Sequence, residues 1–208
     1  MAKTVEVDVY KFEELSDRAK EEAREWYRSG ALDYDWWEYV YEDAANIADI
    51  LGIDIRCKPV KLMNGSVRHD PCIWFSGFCS QGDGACFEGH YSYKKGSVKE
   101  IKKYAPTDKE LHSIAERLFD AQRRCFYGLT ATIKHSGHYS HSGCMSIDVS
   151  CYDDMRFDED DIQQPLRDFA DWIYKQLEQE HDYLLSDEVV DESIVTNEYE
   201  FNEDGSIF

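Results

Sequence analysis

Two segments of this chain hold residues whose types and spacing could do chemistry. The first is Ser76-Gly77-Phe78-Cys79-Ser80-Gln81-Gly82-Asp83-Gly84-Ala85-Cys86-Phe87-Glu88-Gly89, with Asp83 between two of its four glycines. Such a connection calls for positive φ at several places and holds the carboxylate close to backbone N–H groups. It is a poor phosphate cradle, because no Lys-Ser/Thr pair and no helix pattern follow it and Asp83 would repel the ligand. Two readings remain. One is a demanding loop whose Asp83 satisfies its own turn, and the other is a contact loop at the rim of a sheet presenting Ser80, Gln81 and Asp83.

The second segment is His135-Ser136-Gly137-His138-Tyr139-Ser140-His141-Ser142-Gly143-Cys144. His135, His138, His141 and Cys144 offer imidazole and thiolate, the donors zinc prefers, and His90 or Cys79 could complete a shell. The segment lacks the paired ligand spacing of a zinc motif, so a polar loop is the plainer reading and no metal or other cofactor is expected. Cys86 or Cys144 beside a histidine could imitate a thiol nucleophile, although burial is the usual fate of cysteine. A small metal-dependent enzyme using Asp83, His90 and the loop histidines is therefore an alternative function, and a protein without catalytic residues is the expectation.

The elements that must position these loops are legible from apolar spacing. Val5, Val7 and Val9 alternate with polar residues as a half-buried strand. Ser16 caps a helix over residues 17–28 that stops at Gly30, and Asp33 or Asp35 opens a second one that Gly52 closes. Asn64-Gly65 marks a hairpin turn, with strands from Ile53, over 72–78 and over 86–93. Thr107 with Glu110 fits a capping box before a helix bearing Leu111, Ile114 and Leu118. Residues 130–135 and 145–151 form a hairpin. Ile162, Leu166, Phe169, Trp172, Ile173 and Leu177 make one stripe of a long helix with Pro165 in its first turn. Ser186 caps a last short helix, and Glu203-Asp204-Gly205 turns a small terminal hairpin. This order predicts an α+β fold in one domain over 1–208: an antiparallel sheet of about five or six strands with helices packed against it, an acidic helical C-terminal region and a terminal hairpin.

Charge is distributed unevenly. Of the net −20, the last 56 residues carry 19 acids against three bases, whereas the first 152 carry 24 acids against 20 bases. The apolar stripe makes that acidic region a folded surface rather than a disordered tail. Its carboxylates Asp158, Asp160, Asp161, Asp168, Asp171, Glu178, Glu180, Asp187, Glu188, Asp191 and Glu192 are the candidate contacts for a positively charged partner. The same charge repels nucleic acid and anionic membrane, so direct binding of either is not expected. Lys94, Lys95, Lys99, Lys102 and Lys103 form the densest basic cluster and would allow self-association or internal ion pairing with the acids. Seven cysteines, an odd number, in a chain whose opening lacks the apolar core of a signal peptide read as reduced thiols in a cytoplasmic protein.

The chain also resembles a family of small acidic proteins of bacteriophages and prophages. The resemblance is carried by Val7-Asp8-Val9-Tyr10-Lys11-Phe12-Glu13-Glu14-Leu15-Ser16 with Ala23-Arg24-Glu25-Trp26-Tyr27, by Phe75-Ser76-Gly77-Phe78 and Ser80-Gln81-Gly82-Asp83-Gly84-Ala85-Cys86-Phe87-Glu88-Gly89, and by the closing stretch from Asp187-Glu188 to Glu200-Phe201. Some members of that family are labelled antitoxins of toxin–antitoxin systems. It implies a phage-encoded protein acting in the host cytoplasm by binding host or defence machinery. Combined with the acidic C-terminal surface, this predicts an inhibitor that acts as a nucleic-acid mimic at a basic site on a host or defence protein, or alternatively an antitoxin masking a basic toxin.

Overall fold

Caps and stop signals set the helices where the sequence places them most clearly. In the computed structural model, which describes residues 7–152 and 157–208, Ser16 accepts the Ala19 N–H to open α1 (Asp17–Arg28). Ser186 does the same for Val189 at the start of α6 (Asp187–Thr196). The α2 helix (Glu38–Leu51) is closed by Gly52 at φ +88°. It begins later than Asp33 or Asp35 predicts, because residues 33–37 form turns in which the Trp36 N–H donates to the Tyr34 carbonyl. The chain divides into two compact units, one of Met1–Trp37 with Gln179–Phe208 and one of Glu38–Glu178.

The larger unit is built on an antiparallel four-stranded sheet in the order β2-β7-β8-β9. Its members are β2 (Ile53–Ile55), β7 (Gly89–Ser92), β8 (Leu129–His135) and β9 (Met145–Cys151). Alternation decides the faces: Leu129, Ala131 and Ile133 of β8 are buried, while Thr132 and Lys134 are exposed. The hairpin of β3 (Cys57–Lys61) and β4 (Val67–Pro71) and the ladder of β5 (Ile73–Phe75) and β6 (Ala85–Phe87) join this sheet at a three-way junction. There the Cys72 N–H donates to Arg56 O, Arg56 N–H to Glu88 O, and Glu88 N–H to Cys72 O. The ring of bonds breaks the predicted 72–78 and 86–93 strands into shorter pieces without leaving a backbone group unpaired.

Helices cover the buried face. The α4 helix (Lys109–Arg124) contributes Leu111, Ile114, Ala115 and Leu118, all essentially inaccessible. Its cap is Asp108, not Thr107: the Asp108 Oδ1 takes the Leu111 N–H and its Oδ2 the Trp172 indole N–H. The short α3 (Ser97–Tyr104), which the lysine cluster obscures in the sequence, buries Ile101. The acidic helix α5 runs over Asp160–Leu184 and buries Ile162, Leu166, Phe169, Trp172, Ile173 and Leu177, the predicted stripe. Pro165 lies beyond the first turn, inside the helix, where it is itself buried. Residues of α5 up to Glu178 belong to the larger unit and those from Gln179 to the smaller one.

One buried polar side chain holds α4 to the sheet. Gln122 is fully buried; its amide Nε2 donates to Leu129 O at 2.7 Å and to the Tyr91 hydroxyl at 3.3 Å, and its Oε1 accepts the Leu129 N–H at 3.1 Å. The amide thus substitutes for a missing strand partner. It also anchors a strained connection, since Phe126 and Tyr127 both adopt left-handed φ (50° and 64°) between α4 and β8.

In the smaller unit β1 (Tyr10–Lys11) pairs with β10 (Glu200–Phe201), and Phe201 also bridges Ile207 in the predicted terminal turn. Phe12, Leu15, Ala19, Ala23, Val190, Ile194 and Phe201 form its core, with Trp26, Tyr27 and Tyr199 packed against it. Gly205, at φ +91°, lies so close to α1 that a Cβ would fall 2.0 Å from the Ala19 carbonyl oxygen. Of the predicted first strand, Val5 lies outside the described residues and Val7 is exposed.

Two outcomes follow for stability. Gln122→Leu strands the Leu129 N–H and C=O and is expected to lower the urea unfolding free energy by about 3 kcal/mol. Burial pushes the Cys86 thiol and the Tyr91 phenol up to about 12. In the unfolded chain these groups ionise near about 8.5 and 10. Both stay neutral longer when folded, so their contribution is complete below about pH 8.5 and is lost as pH rises toward 12. A pH series of urea midpoints is expected to fall on the alkaline side.

Candidate functional site

The two loops singled out by sequence meet. Gly84 sits against the second loop with a virtual Cβ 2.6 Å from His141 Cβ and 2.9 Å from its Cα, so only glycine allows the approach. Beside this contact, Phe87 directs its N–H to the Met145 sulfur at 3.4 Å. The two loops thus share one packed base.

Asp83 behaves as the turn reading predicts. Its Oδ2 accepts the N–H groups of Cys79 (3.0 Å) and Ser80 (2.6 Å), and its own N–H donates to Ser80 O. Gly82 supplies the positive φ of +100°. Ser80 and Gln81 are left exposed at the tip. The loop is held from behind by aromatic packing, with Phe78 stacked between Phe75 and Tyr174 at 5.7 and 5.4 Å, and by the Tyr174 hydroxyl donating to Gly77 O.

The histidines do not converge. His135 Nε2 lies 2.9 Å from Tyr139 O, and its ring packs on Trp74, over which Lys58 places its ammonium at 4.4 Å. His138 packs edge-on to Tyr139. His90 is exposed on β7 opposite Asp54 and Thr132. His141 alone meets Cys144, with Nε2 3.2 Å from Sγ. Among the described residues no group of three or more His, Cys, Asp and Glu side chains gathers as metal ligands would.

The eleven predicted carboxylates fall into both units. In the larger unit Asp161 pairs with Arg124, Asp168 with Arg117 and the Gln164 amide, and Asp158 accepts the Asp160 N–H. Asp160 and Asp171 are exposed and Glu178 is half-buried. The lysine cluster pairs elsewhere, Lys94 with Asp49 and Lys102 with Glu116.

In the smaller unit α6 carries two acidic faces, each with residues four apart. Asp187 and Asp191 turn to α1, where Asp191 takes both prongs of the Arg24 guanidinium at 2.7 Å and Asp187 pairs with Arg28. The Asp191 hydrogen bond holds Arg24 charged, well above its usual value. Arg28 also pairs with Glu21 and Glu25, and Lys11 with Glu200. Glu188 and Glu192 are exposed, and neither they nor Glu180 makes an ion pair among the described residues. The smaller unit holds 20 acids against six bases, so 14 of the 20 net negative charges lie in it.

A family model for a domain of unknown function, DUF8835, matches residues 36–187. The chain belongs to this family. No match was found among curated proteins or among solved structures. The DUF8835 region takes in the whole larger unit with both loops, and leaves out α1, β1, β10 and all of α6 after Asp187. Most of the acidic unit is therefore made by the segments that flank the family region.

Sequence reasoning found both loops and missed what joins them. The close approach at Gly84 depends on a tertiary contact between residues 57 positions apart. Arg24 and Arg28, spaced four apart on α1, were the available signal for the pairing that the smaller unit uses. Gly84→Ala is expected to drive the His141 loop off the β5–β6 ladder, lowering the urea midpoint by an amount equivalent to about 1–3 kcal/mol and shifting the His141 ring resonances in NMR spectra.

Proposed function

We propose that this is a phage-encoded, non-enzymatic binding protein that engages a basic site on a host or defence protein, in the host cytoplasm, through the acidic surface of its smaller unit. The observation that carries the reading is the charge partition: a 67-residue unit with a net charge of −14 in which Arg24 and Arg28 of α1 are already matched internally. Carboxylates left over from that pairing raise the energy of the folded unit by mutual repulsion, and a cationic partner would relieve it. Glu188 and Glu192 stand foremost, being exposed, one helical turn apart and without cations of their own. Asp187 and Asp191 hold the scaffold, so they are set apart from the contact surface. A site on a host protein that normally holds nucleic acid fits such a surface, since carboxylates at phosphate-like spacing compete for its Lys and Arg.

The resemblance to phage and prophage proteins supports the setting. No helix among the described residues is long and apolar enough to cross a membrane. The separate directions taken by His135, His138 and His141 give a metal-dependent enzyme no comparable support.

The partner can be isolated by crosslinking in infected cells and its affinity measured with purified components. The double variant Glu188→Lys/Glu192→Lys is expected to weaken binding by about tenfold or more and to flatten its salt dependence, with the urea midpoint little changed because the smaller net negative charge of the unit offsets the loss of an acid from the first turn of α6. An affinity indifferent both to salt and to these reversals sinks the proposal. Growth rescue on co-expression with a toxic neighbouring gene product would make the basic partner a toxin.

A further inference from the structure

The loop junction contains a thiol and an imidazole that the binding surface does not use. Cys57 and Cys79 are exposed and Cys72, Cys86 and Cys125 buried, while Cys144 is half-buried. Exposure alone would rank Cys57 and Cys79 as the thiols that reagents reach first. Cys144 differs from them in its surroundings.

His141 Nε2 lies 3.2 Å from Cys144 Sγ, and the ring cannot turn freely because the Gly143 N–H donates to Nδ1 at 3.1 Å. With Nδ1 acting as acceptor, a neutral ring carries its proton on Nε2, facing the sulfur. The main chain closes the turn: the Cys144 N–H donates to His141 O at 2.8 Å. Arg167 on α5 donates from its guanidinium to the carbonyl of Ser142, which brings a cation to the same turn. Among the described residues Arg167 has no carboxylate partner to neutralise it. The turn is held in place where His141 rests on Gly84. From the other side, the Ser76 N–H donates to Gly84 O at 3.1 Å, next to the His141 contact.

We propose that Cys144 is a modification site, a nucleophilic thiol positioned by His141, that takes soft electrophiles of the hydroperoxide class. A thiol reacts as its anion, and an N–H donor with a nearby cation is the setting in which that anion persists. In the reaction the thiol proton leaves to solvent and the sulfur electron pair attacks the terminal oxygen of the hydroperoxide. The O–O bond breaks and the departing alkoxide takes a proton from water. Cys144 is oxidised to the sulfenic acid and the hydroperoxide is reduced to the alcohol. The inference is independent of the acidic surface and stands or falls without it.

The test is site-resolved alkylation of the folded, full-length protein by iodoacetamide, read by mass spectrometry over a time course. Dimedone trapping after about one equivalent of hydrogen peroxide then reports the sulfenic acid. Cys144 is expected to be alkylated about tenfold faster than the more exposed Cys57 and Cys79 and to be the main dimedone adduct, with buried Cys86 unlabelled. His141→Gln, which keeps a polar group beside Gly143, is expected to bring Cys144 down to the rate of Cys57. A wild-type ranking with Cys57 or Cys79 ahead overturns the proposal, and so does an unchanged Cys144 rate in a folded His141→Gln protein. If that variant does not fold, the wild-type ranking and the dimedone adduct decide.

Discussion

The pairing of Arg24 with Asp191 and of Arg28 with Asp187 is the interaction on which the smaller unit depends. Its C-terminal segment, Gln179–Phe208, contains ten acids and no lysine or arginine. Its N-terminal segment brings acids of its own, so bringing α6 against α1 sets carboxylates against carboxylates unless cations stand between them. Arg24 and Arg28 supply those cations with side chains only 17% and 20% exposed. The Arg24–Asp191 pair, with its carboxylate 32% exposed, is the more shielded and the costlier to break from one side, whereas Asp187 is 65% exposed and its pair with Arg28 is screened by water, worth about 1 kcal/mol or less. The apolar core of seven residues beneath is small, so this unit cannot rely on hydrophobic burial alone.

That requirement sorts the acids into kinds. Asp187 and Asp191 are structural because arginines bind them, just as Asp161 and Asp168 are bound by Arg124 and Arg117 in the larger unit. Glu188 and Glu192 share the same helix at the same spacing and have no such role. A fold that needed only solubility could spread its charge; this one gathers the excess on a unit in which Arg24 and Arg28 are already engaged. The DUF8835 region ends at the first residue of α6, so Glu188 and Glu192 lie outside it.

Much of the fold was legible because local chemistry and burial agree. Ser16 and Ser186 cap where their hydroxyls face the third residue on, Gly52 ends α2 with a left-handed φ, and the hairpin predicted over residues 130–135 and 145–151 is the β8–β9 ladder. The illegible parts are those that tertiary contacts decide. The ring of bonds among Arg56, Cys72 and Glu88 joins three distant segments, and no local pattern announces it. Asp108 displaces Thr107 as the α4 cap because its second oxygen has a distant use, the Trp172 indole. Helix α3 was hidden because Val98 and Ile101 among three lysines and a glutamate leave too little periodicity, although Ile101 is wholly buried. Pro165 is tolerated inside α5 for reasons that hydrophobic spacing alone does not contain.

The candidate site shows the same limit in a sharper form. Composition identified the glycine-rich loop and the histidine-rich loop as separate features, and each had a bland reading that the structure supports: Asp83 closes its own turn, and His135 serves a carbonyl and an indole face. Neither loop is a site by itself. The junction arises because Gly84 has no side chain, which lets the backbone of His141 approach to a distance that any Cβ would forbid. Within the turn so placed, the Gly143 N–H donates to Nδ1 and fixes the direction of the imidazole, whose remaining nitrogen meets Cys144. Chemistry at this place is therefore a property of the packing between two loops, and the residue that permits it is the one with no functional group.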